Sequence, residues 1–116
     1  MKIYFAHSKQ LENLKELYAR LGDLKRVEFI FPHAQGNVDV NSKQIINEVD
    51  LFLAEVSLPS TGLGIELGRA EAANKPIICV YRSGSDLSSS LKFLTAKFVE
   101  YSDPEDLLKK LEIFLK

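Results

Sequence analysis

Cys79 is the only cysteine in the 116 residues. It has no partner for an internal disulfide or a zinc knuckle, so a reducing compartment is the default expectation. A basic excess is missing as well. The chain carries 15 Lys and Arg against 16 Asp and Glu, a formal net charge of −1, whereas a general nucleic-acid or membrane-surface binder shows a basic surplus. No stretch approaches the roughly 20 apolar residues of a membrane span. The opening M-K-I-Y-F-A-H-S has too short an apolar run for a signal peptide. Internal repeats, linkers and low-complexity tracts are absent, and Ser88-Ser89-Ser90 is too short to count as one. No cluster of metal-ligating residues is visible, so neither a metal nor another cofactor is expected. What remains is ordinary for a soluble globular protein: 46% hydrophobic and 27% charged residues, enough for a real core. The expectation is one domain over residues 1–116, in the cytoplasm, with no nucleic-acid or membrane partner.

The apolar pattern alternates between strand and helix. K-I-Y-F-A over Lys2–Ala6 reads as a first strand, closed by His7-Ser8. Leu11, Leu14, Leu17, Tyr18 and Leu21 recur at helical spacing up to Gly22. Val27–Phe31 is a second strand stopped by Pro32, and His33–Asp39 is a loop. Ile45, Ile46 and Val49 place a helix over about Val40–Val49. Leu51–Val56 is near-continuously apolar, as suits a strand buried on both faces. The next helix turns Leu63, Leu67 and Ala70 inward, with Thr61 or Gly62 as its cap, and Asn74-Lys75-Pro76 ends it. Pro76–Tyr81 is a fourth strand. Arg82–Ser90 is a polar loop, with a short helix through Leu87, Leu91 and Leu94. Lys97–Tyr101, the most polar strand, is expected at an edge. Asp103-Pro104 is a helix start, and Leu107, Leu108, Leu111 and Phe114 form the packing stripe of the last helix.

Strict β-α alternation predicts an α/β, three-layer fold: a five-stranded parallel sheet with helices on both faces. The expected order is the flavodoxin/Rossmann-like 2-1-3-4-5. Ligands of such sheets bind beyond the carboxyl ends of the strands, where the strand order reverses. That point lies between the first and third strands, so His7 and Ser8 should lie beside Ser57 and Ser60.

The segment from Ala54 to Lys75, A-E-V-S-L-P-S-T-G-L-G-I-E-L-G-R-A-E-A-A-N-K, therefore commands the site. Gly62, Gly64 and Gly68 are spaced G-x-G-x-x-x-G on the third strand–helix unit, which does not fit the dinucleotide fingerprint. Glycines there still let a backbone approach a ligand closely. A helix N-terminus, with the hydroxyls of Ser60 and Thr61, can hold an anion. Glu66 lies too far into the helix for a capping box. It is either a favourable dipole contact or a pocket carboxylate suited to nucleophilic or general-base work.

The run D-L-F-L-A-E-V-S-L-P-S-T-G-L-G-I-E-L-G-R-A-E-A-A-N-K-P-I-I-C-V-Y-R resembles the nucleoside 2-deoxyribosyltransferase superfamily. Within it the nearest resemblance is to the 2′-deoxynucleoside 5′-monophosphate N-glycosidases. The similarity covers Lys2–Ser8 and Asp50–Ser90, and A-E-V-x-x-P-S-x-G-x-G-x-E-L-G-R-A is its specific core. The resemblance implies that Glu66 attacks the anomeric carbon and holds the deoxyribosyl group covalently. A carboxylate under the sugar suits the oxocarbenium character of N-glycoside cleavage. It implies that Tyr4 lies beside that glutamate, and that Ser8 and Ser60 bind the 5′-phosphate with help from Gly62 and Gly64. Ser90 matches a serine that the neighbouring subunit lends to the same phosphate, which implies a homodimer. His33 matches a histidine on the base side of the pocket, though by itself it reads as a loop residue.

The chain also departs from that pattern. The family's aspartate on the helix before the third strand, which assists departure of the base, is replaced by Ser42. Asp39, about one helical turn earlier, is the candidate substitute; its plain reading is an N-cap or a solvated loop residue. The family arginine after the first serine is replaced by Lys9-Gln10, and Lys9 is the available charge. His7 is either a cap for the next helix or a phosphate contact. Arg69 reads as an ion-pair partner within its helix or between subunits, and Cys79 as core. The expected activity is hydrolysis of a deoxynucleoside monophosphate. The alternatives are a deoxyribosyltransferase and a nucleotide-binding module without chemistry.

Overall fold

The computed structural model describes residues 1–32 and 42–115. In chain order it has β1 (Lys2–His7), α1 (Leu14–Gly22), β2 (Glu28–Ile30), α2 (Ser42–Glu48), β3 (Leu51–Glu55), α3 (Thr61–Ala72), β4 (Ile77–Arg82), a 3-10 turn (Ser89–Phe93), β5 (Phe98–Tyr101) and α4 (Pro104–Phe114). The strands form one sheet in the order β2-β1-β3-β4-β5, and every neighbouring pair is parallel. Both the order and the edge position of β5 are as the sequence predicts.

Strand side chains alternate between the two faces, and two cores result. Ile3, Phe5, Leu53, Ile78 and Val80 pack with Leu17 and Leu21 of α1 and Leu107 and Leu111 of α4. Tyr4, Phe52, Ala54 and Cys79 pack with Ile46 of α2 and with Leu63, Leu67 and Ala70 of α3. All five residues of β3 are buried, which is why that stretch reads as continuously apolar. Burial pushes the Cys79 thiol up to about 11, consistent with a core role and no reactivity.

Three local expectations are corrected. Leu11 is buried but lies outside α1, which begins only after Asn13, a residue in the left-handed region (φ 61°). The cap of α3 is Ser60 rather than Thr61 or Gly62: its Oγ accepts from the Leu63 N–H at 3.2 Å, the usual bond from N-cap to the third helical residue. Phe114 is 42% exposed. The inward stripe of α4 continues from Leu111 to Leu115 at i+4, and that spacing turns Phe114 outward. The Asp103 cap forms as expected, accepting from Asp106 N–H at 2.8 Å with Pro104 behind it.

The register fixes the site. His7 at the end of β1 is the lateral partner of Glu55 at the end of β3. The segments that follow, carrying Ser8 and Ser60, therefore leave the sheet side by side above the start of α3.

Candidate active site

Tyr4 stands in the middle of β1, wholly buried, its ring stacked on Phe52 of the neighbouring strand with centroids 5.3 Å apart. Its hydroxyl donates to Glu66 Oε2. The pairing predicted from the sequence is thus present, built from a central strand and the second turn of α3. Burial raises the Tyr4 phenol well above its ordinary value; the hydrogen bond to Glu66 and the carboxylate charge raise it further. Ser42 and the Arg69 guanidinium act in the opposite direction. The net result is a phenol that stays protonated and is committed to donating. Glu66 itself is 7% exposed, a carboxylate at the inner edge of accessibility.

Ser42, on the first turn of α2, is buried, and its hydroxyl accepts from Arg69 Nη1 of α3. Arg69 is therefore engaged across the α2–α3 contact by a hydroxyl. Ser42 and Arg69 thus place a hydroxyl and a guanidinium close to the Tyr4–Glu66 pair. Asp39 and His33, the other two candidates for this side, lie outside the described residues.

A cleft of about 440 Å³ opens between the ends of β1 and β3, lined by Ser8, Lys9 and Gln10 on one side and Pro59, Ser60, Gly62 and Leu63 on the other, with His7 at its base. Ser8 Oγ accepts from the Gln10 N–H at 3.2 Å, and Ser60 Oγ from Leu63 N–H. A serine hydroxyl has one donor and two acceptor positions. Both serines therefore keep an O–H to offer an anion. A Cβ added at Gly62 would meet no protein atom, so glycine here leaves space to the cleft. Gly62 precedes Glu66 by four residues and shares its helical face, which joins the anion cleft to the carboxylate. Lys9 brings the positive charge. His7 is fixed rather than capping α1: Nδ1 meets the Ser8 carbonyl at 2.8 Å and Nε2 the Tyr18 hydroxyl at 2.6 Å. Since a carbonyl only accepts, Nδ1 donates to Ser8; in the neutral ring Nε2 then accepts from the Tyr18 hydroxyl.

Two predicted contacts do not join this cleft within one chain. Gly64 and Ser90 line a second, more apolar groove of about 290 Å³ with Val56, Leu67, Leu91 and Leu94. Ser60 lies between the two hollows and lines both. Ser90 is exposed on the 3-10 turn.

One cluster was missed. Glu55 is buried on the opposite face of the sheet, bonded by Ser57 and Tyr101. The signal was a charge inside an otherwise apolar strand, L-F-L-A-E-V, since a buried carboxylate requires partners. Among the described residues no group of three or more His, Cys, Asp or Glu is placed to hold a metal ion, and no helix is long and apolar enough to cross a membrane.

Comparison with known proteins follows the same line. No protein-family model matches the chain. Over 50 residues it is 50% identical to the 5-hydroxymethyl-dUMP N-hydrolase of Danio rerio, a match covering 41% of this chain and 35% of the relative. Over 49 residues it is 45% identical to the protein of the same name from Branchiostoma floridae, covering 40% and 47%. A solved structure, the CMP N-glycosidase BcmB of Clostridium botulinum, matches 97% of this chain and 99% of its own with TM-score 0.69 and 25% identity. The resemblance read from the sequence stands. The relatives it points to are nucleotide N-hydrolases in sequence and an N-glycosidase in architecture. The chain spans less than half the length of these curated relatives.

Proposed function

We propose that the protein hydrolyses the N-glycosidic bond of a 2′-deoxynucleoside 5′-monophosphate, releasing the free base and 2-deoxyribose 5-phosphate. The observation that carries this is the buried Tyr4–Glu66 bond on the strand–helix corner that adjoins the Ser8–Ser60 cleft. In the first step the Glu66 carboxylate bonds to the anomeric carbon as the carbon–nitrogen bond breaks. The base leaves with the electron pair and acquires a proton. In the second, water adds to the anomeric carbon, the ester to Glu66 opens, and the water's second proton is released. Tyr4 orients the carboxylate throughout and remains a neutral donor. The 5′-phosphate is held by the hydroxyls of Ser8 and Ser60, by the N-terminus of α3 at Gly62 and by Lys9, where hydroxyls, amides and an ammonium converge.

In this reading the protein works as a homodimer, and Ser90 of a second copy completes the phosphate site. Its support is that Ser90 lies on the far side of Ser60 from Ser8 within its own chain, exposed and beside an apolar groove. In the same reading Asp39, or a water held by nearby polar groups, helps the base depart.

Incubation with each deoxynucleoside monophosphate, followed by chromatography, tests the activity. Free base should appear with the wild type and vanish in Glu66→Gln. A folded protein that releases base from none of them overturns the proposal. One observation favours a second reading, a nucleotide-binding module without turnover: Ser42, bonded to Arg69, stands where the family places an aspartate. Calorimetric nucleotide binding that survives Glu66→Gln, with no base release, would select it.

A further inference from the structure

The reaction above gives no task to Glu55, yet this residue has a denser set of bonds than its place in a core strand requires. It is 1% exposed. One carboxylate oxygen accepts the Ser57 N–H at 2.6 Å, and the other accepts the Ser57 hydroxyl at 3.0 Å. The second oxygen also accepts the Tyr101 hydroxyl from the end of β5. Ser57 Oγ in turn accepts the Arg82 N–H at 2.8 Å from the end of β4, and the Arg82 guanidinium donates to the Glu12 carbonyl in the segment before α1. A single carboxylate thus gathers the carboxyl ends of β3, β4 and β5 and the approach to α1.

What it grips is the first residue of the turn that ends at Ser60. Ser57 is fixed by Glu55, and Ser60 is fixed by its cap bond to Leu63; only Leu58 and Pro59 lie between. On the other wall of the cleft, His7 is the lateral partner of Glu55 on β1 and directly precedes Ser8. The bonds of Glu55 lie on the face of the sheet with α1 and α4, whereas Tyr4 and Glu66 meet on the face with α2 and α3. We propose that Glu55, with Tyr101, is a positioning residue for the substrate's phosphate. It presets the Ser57–Ser60 turn so that the Ser60 hydroxyl and the α3 N-terminus face the anion, without acting on the glycosidic bond. The inference rests on the monophosphate reading of the Ser8–Ser60 cleft.

A merely structural brace would lower turnover of every substrate alike. A phosphate-positioning residue separates substrates by whether they carry the phosphate. The test uses the full chain and the variants Glu55→Ala, Glu55→Gln and Tyr101→Phe, with thermal melts to establish folding. KM and kcat are measured for a deoxynucleoside monophosphate and for the same deoxynucleoside without phosphate. Glu55→Ala should raise KM for the monophosphate about tenfold, the scale of one displaced charged-group hydrogen bond, and leave its kcat within about twofold. kcat/KM for the phosphate-free substrate should not move. Glu55→Gln should restore most of the loss. Its carbonyl keeps the Ser57 N–H bond, and its amide donates to the two hydroxyls, which can turn to accept. Tyr101→Phe should raise the monophosphate KM about threefold through one lost donor, and it carries the test if Glu55→Ala does not fold. Equal losses with and without the phosphate, or an unchanged KM in folded Glu55→Ala, overturn the inference.

Binding of 2-deoxyribose 5-phosphate by calorimetry keeps this result separate from the fate of the reaction. If the wild type releases no base, the catalytic proposal fails on its own. Affinity for the sugar phosphate that falls in Glu55→Ala and returns in Glu55→Gln still supports positioning. Affinity equal in all variants, or absent from the wild type, overturns it.

Discussion

Two tyrosine–glutamate pairs sit on opposite faces of the same sheet. Tyr4 donates to Glu66 on the side of α2 and α3, and Tyr101 donates to Glu55 on the side of α1 and α4. Their electrostatics are alike. In both, burial raises the phenol well above its ordinary value, the glutamate raises it further, and an arginine, Arg69 or Arg82, opposes the shift. Their anchoring is not alike. Glu55 lies in a strand and binds a backbone N–H, so it holds the course of the chain. Glu66 lies on a helix, and Tyr4 reaches it through a side chain from another element. A carboxylate bonded to main chain sets shape. A carboxylate held by a side chain, at the inner edge of accessibility and one turn from an anion cleft, is placed to react. The same pair of residue types does two different things because of what the acceptor is attached to.

Exchanging each carboxylate for its amide breaks this comparison most sharply. Glu66→Gln should lower kcat by at least about 10³-fold, since it removes the proposed nucleophile while conserving volume. Glu55→Gln should leave kcat nearly untouched. Chromatographic base release from the two variants, side by side, gives the answer. Comparable losses would mean that both glutamates serve the chemistry. The second largest effect is on stability and falls on the other pair. Glu55→Ala leaves the Ser57 N–H and the Tyr101 O–H without their acceptor, and each stranded buried group costs about 1–3 kcal/mol. Urea unfolding should therefore show Glu55→Ala to be the least stable of the carboxylate variants, with Glu66→Gln near the wild type. The third separates the tyrosines. Tyr4→Phe should reduce kcat about 10- to 100-fold, the worth of a hydrogen bond to a charged group, whereas Tyr101→Phe should change kcat by less than about twofold.

How much of this was legible in the sequence differs between the two faces. The strand order followed from β-α alternation. The roles of Tyr4, Ser8, Ser60 and Glu66 were implied by the family resemblance, carried by Lys2–Ser8 and by the Ala54–Ala70 motif, and the structure brings Tyr4 to Glu66 and Ser8 to Ser60. The α3 cap was misplaced by a residue or two because Ser60, Thr61 and Gly62 are all acceptable caps, and tertiary geometry alone chooses among them. For Arg69 the helix alone suggests an ion pair, within α3 or between subunits. Its hydroxyl partner Ser42 comes from another helix, a contact that spacing within α3 cannot show. The Glu55 cluster was the least legible. Its members come from β3, the following turn, β4 and β5, and nothing in a local window ties Tyr101 to Glu55. The charge within an apolar run was the only trace. The assignments of His33 and Asp39 fall outside the described residues.

The last expected effect is the one in which the two pairs should behave alike. Tyr4 and Tyr101 are both raised well above the ordinary tyrosine value near 10. A tyrosine is charged when deprotonated, so the raised value means that the folded state holds its proton after the unfolded state has released it. Their contribution to stability is complete below about pH 10 and is lost as pH rises from there, because the unfolded chain then binds fewer protons than the folded one. Each tyrosine should add a downward slope of up to about 1.4 kcal/mol per pH unit above pH 10. Cys79, raised from 9.0 to about 11, adds a slope of the same sign that begins nearer pH 9. Denaturant melts at intervals from pH 8 to 11.5 measure the sum. Tyr4→Phe and Tyr101→Phe should each remove a similar share of the slope above pH 10, although one lowers kcat and the other does not. A slope unchanged by Tyr101→Phe but reduced by Tyr4→Phe would show that the two pairs differ in protonation as well as in anchoring. The distinction drawn from their acceptors would then have to be redrawn in terms of charge.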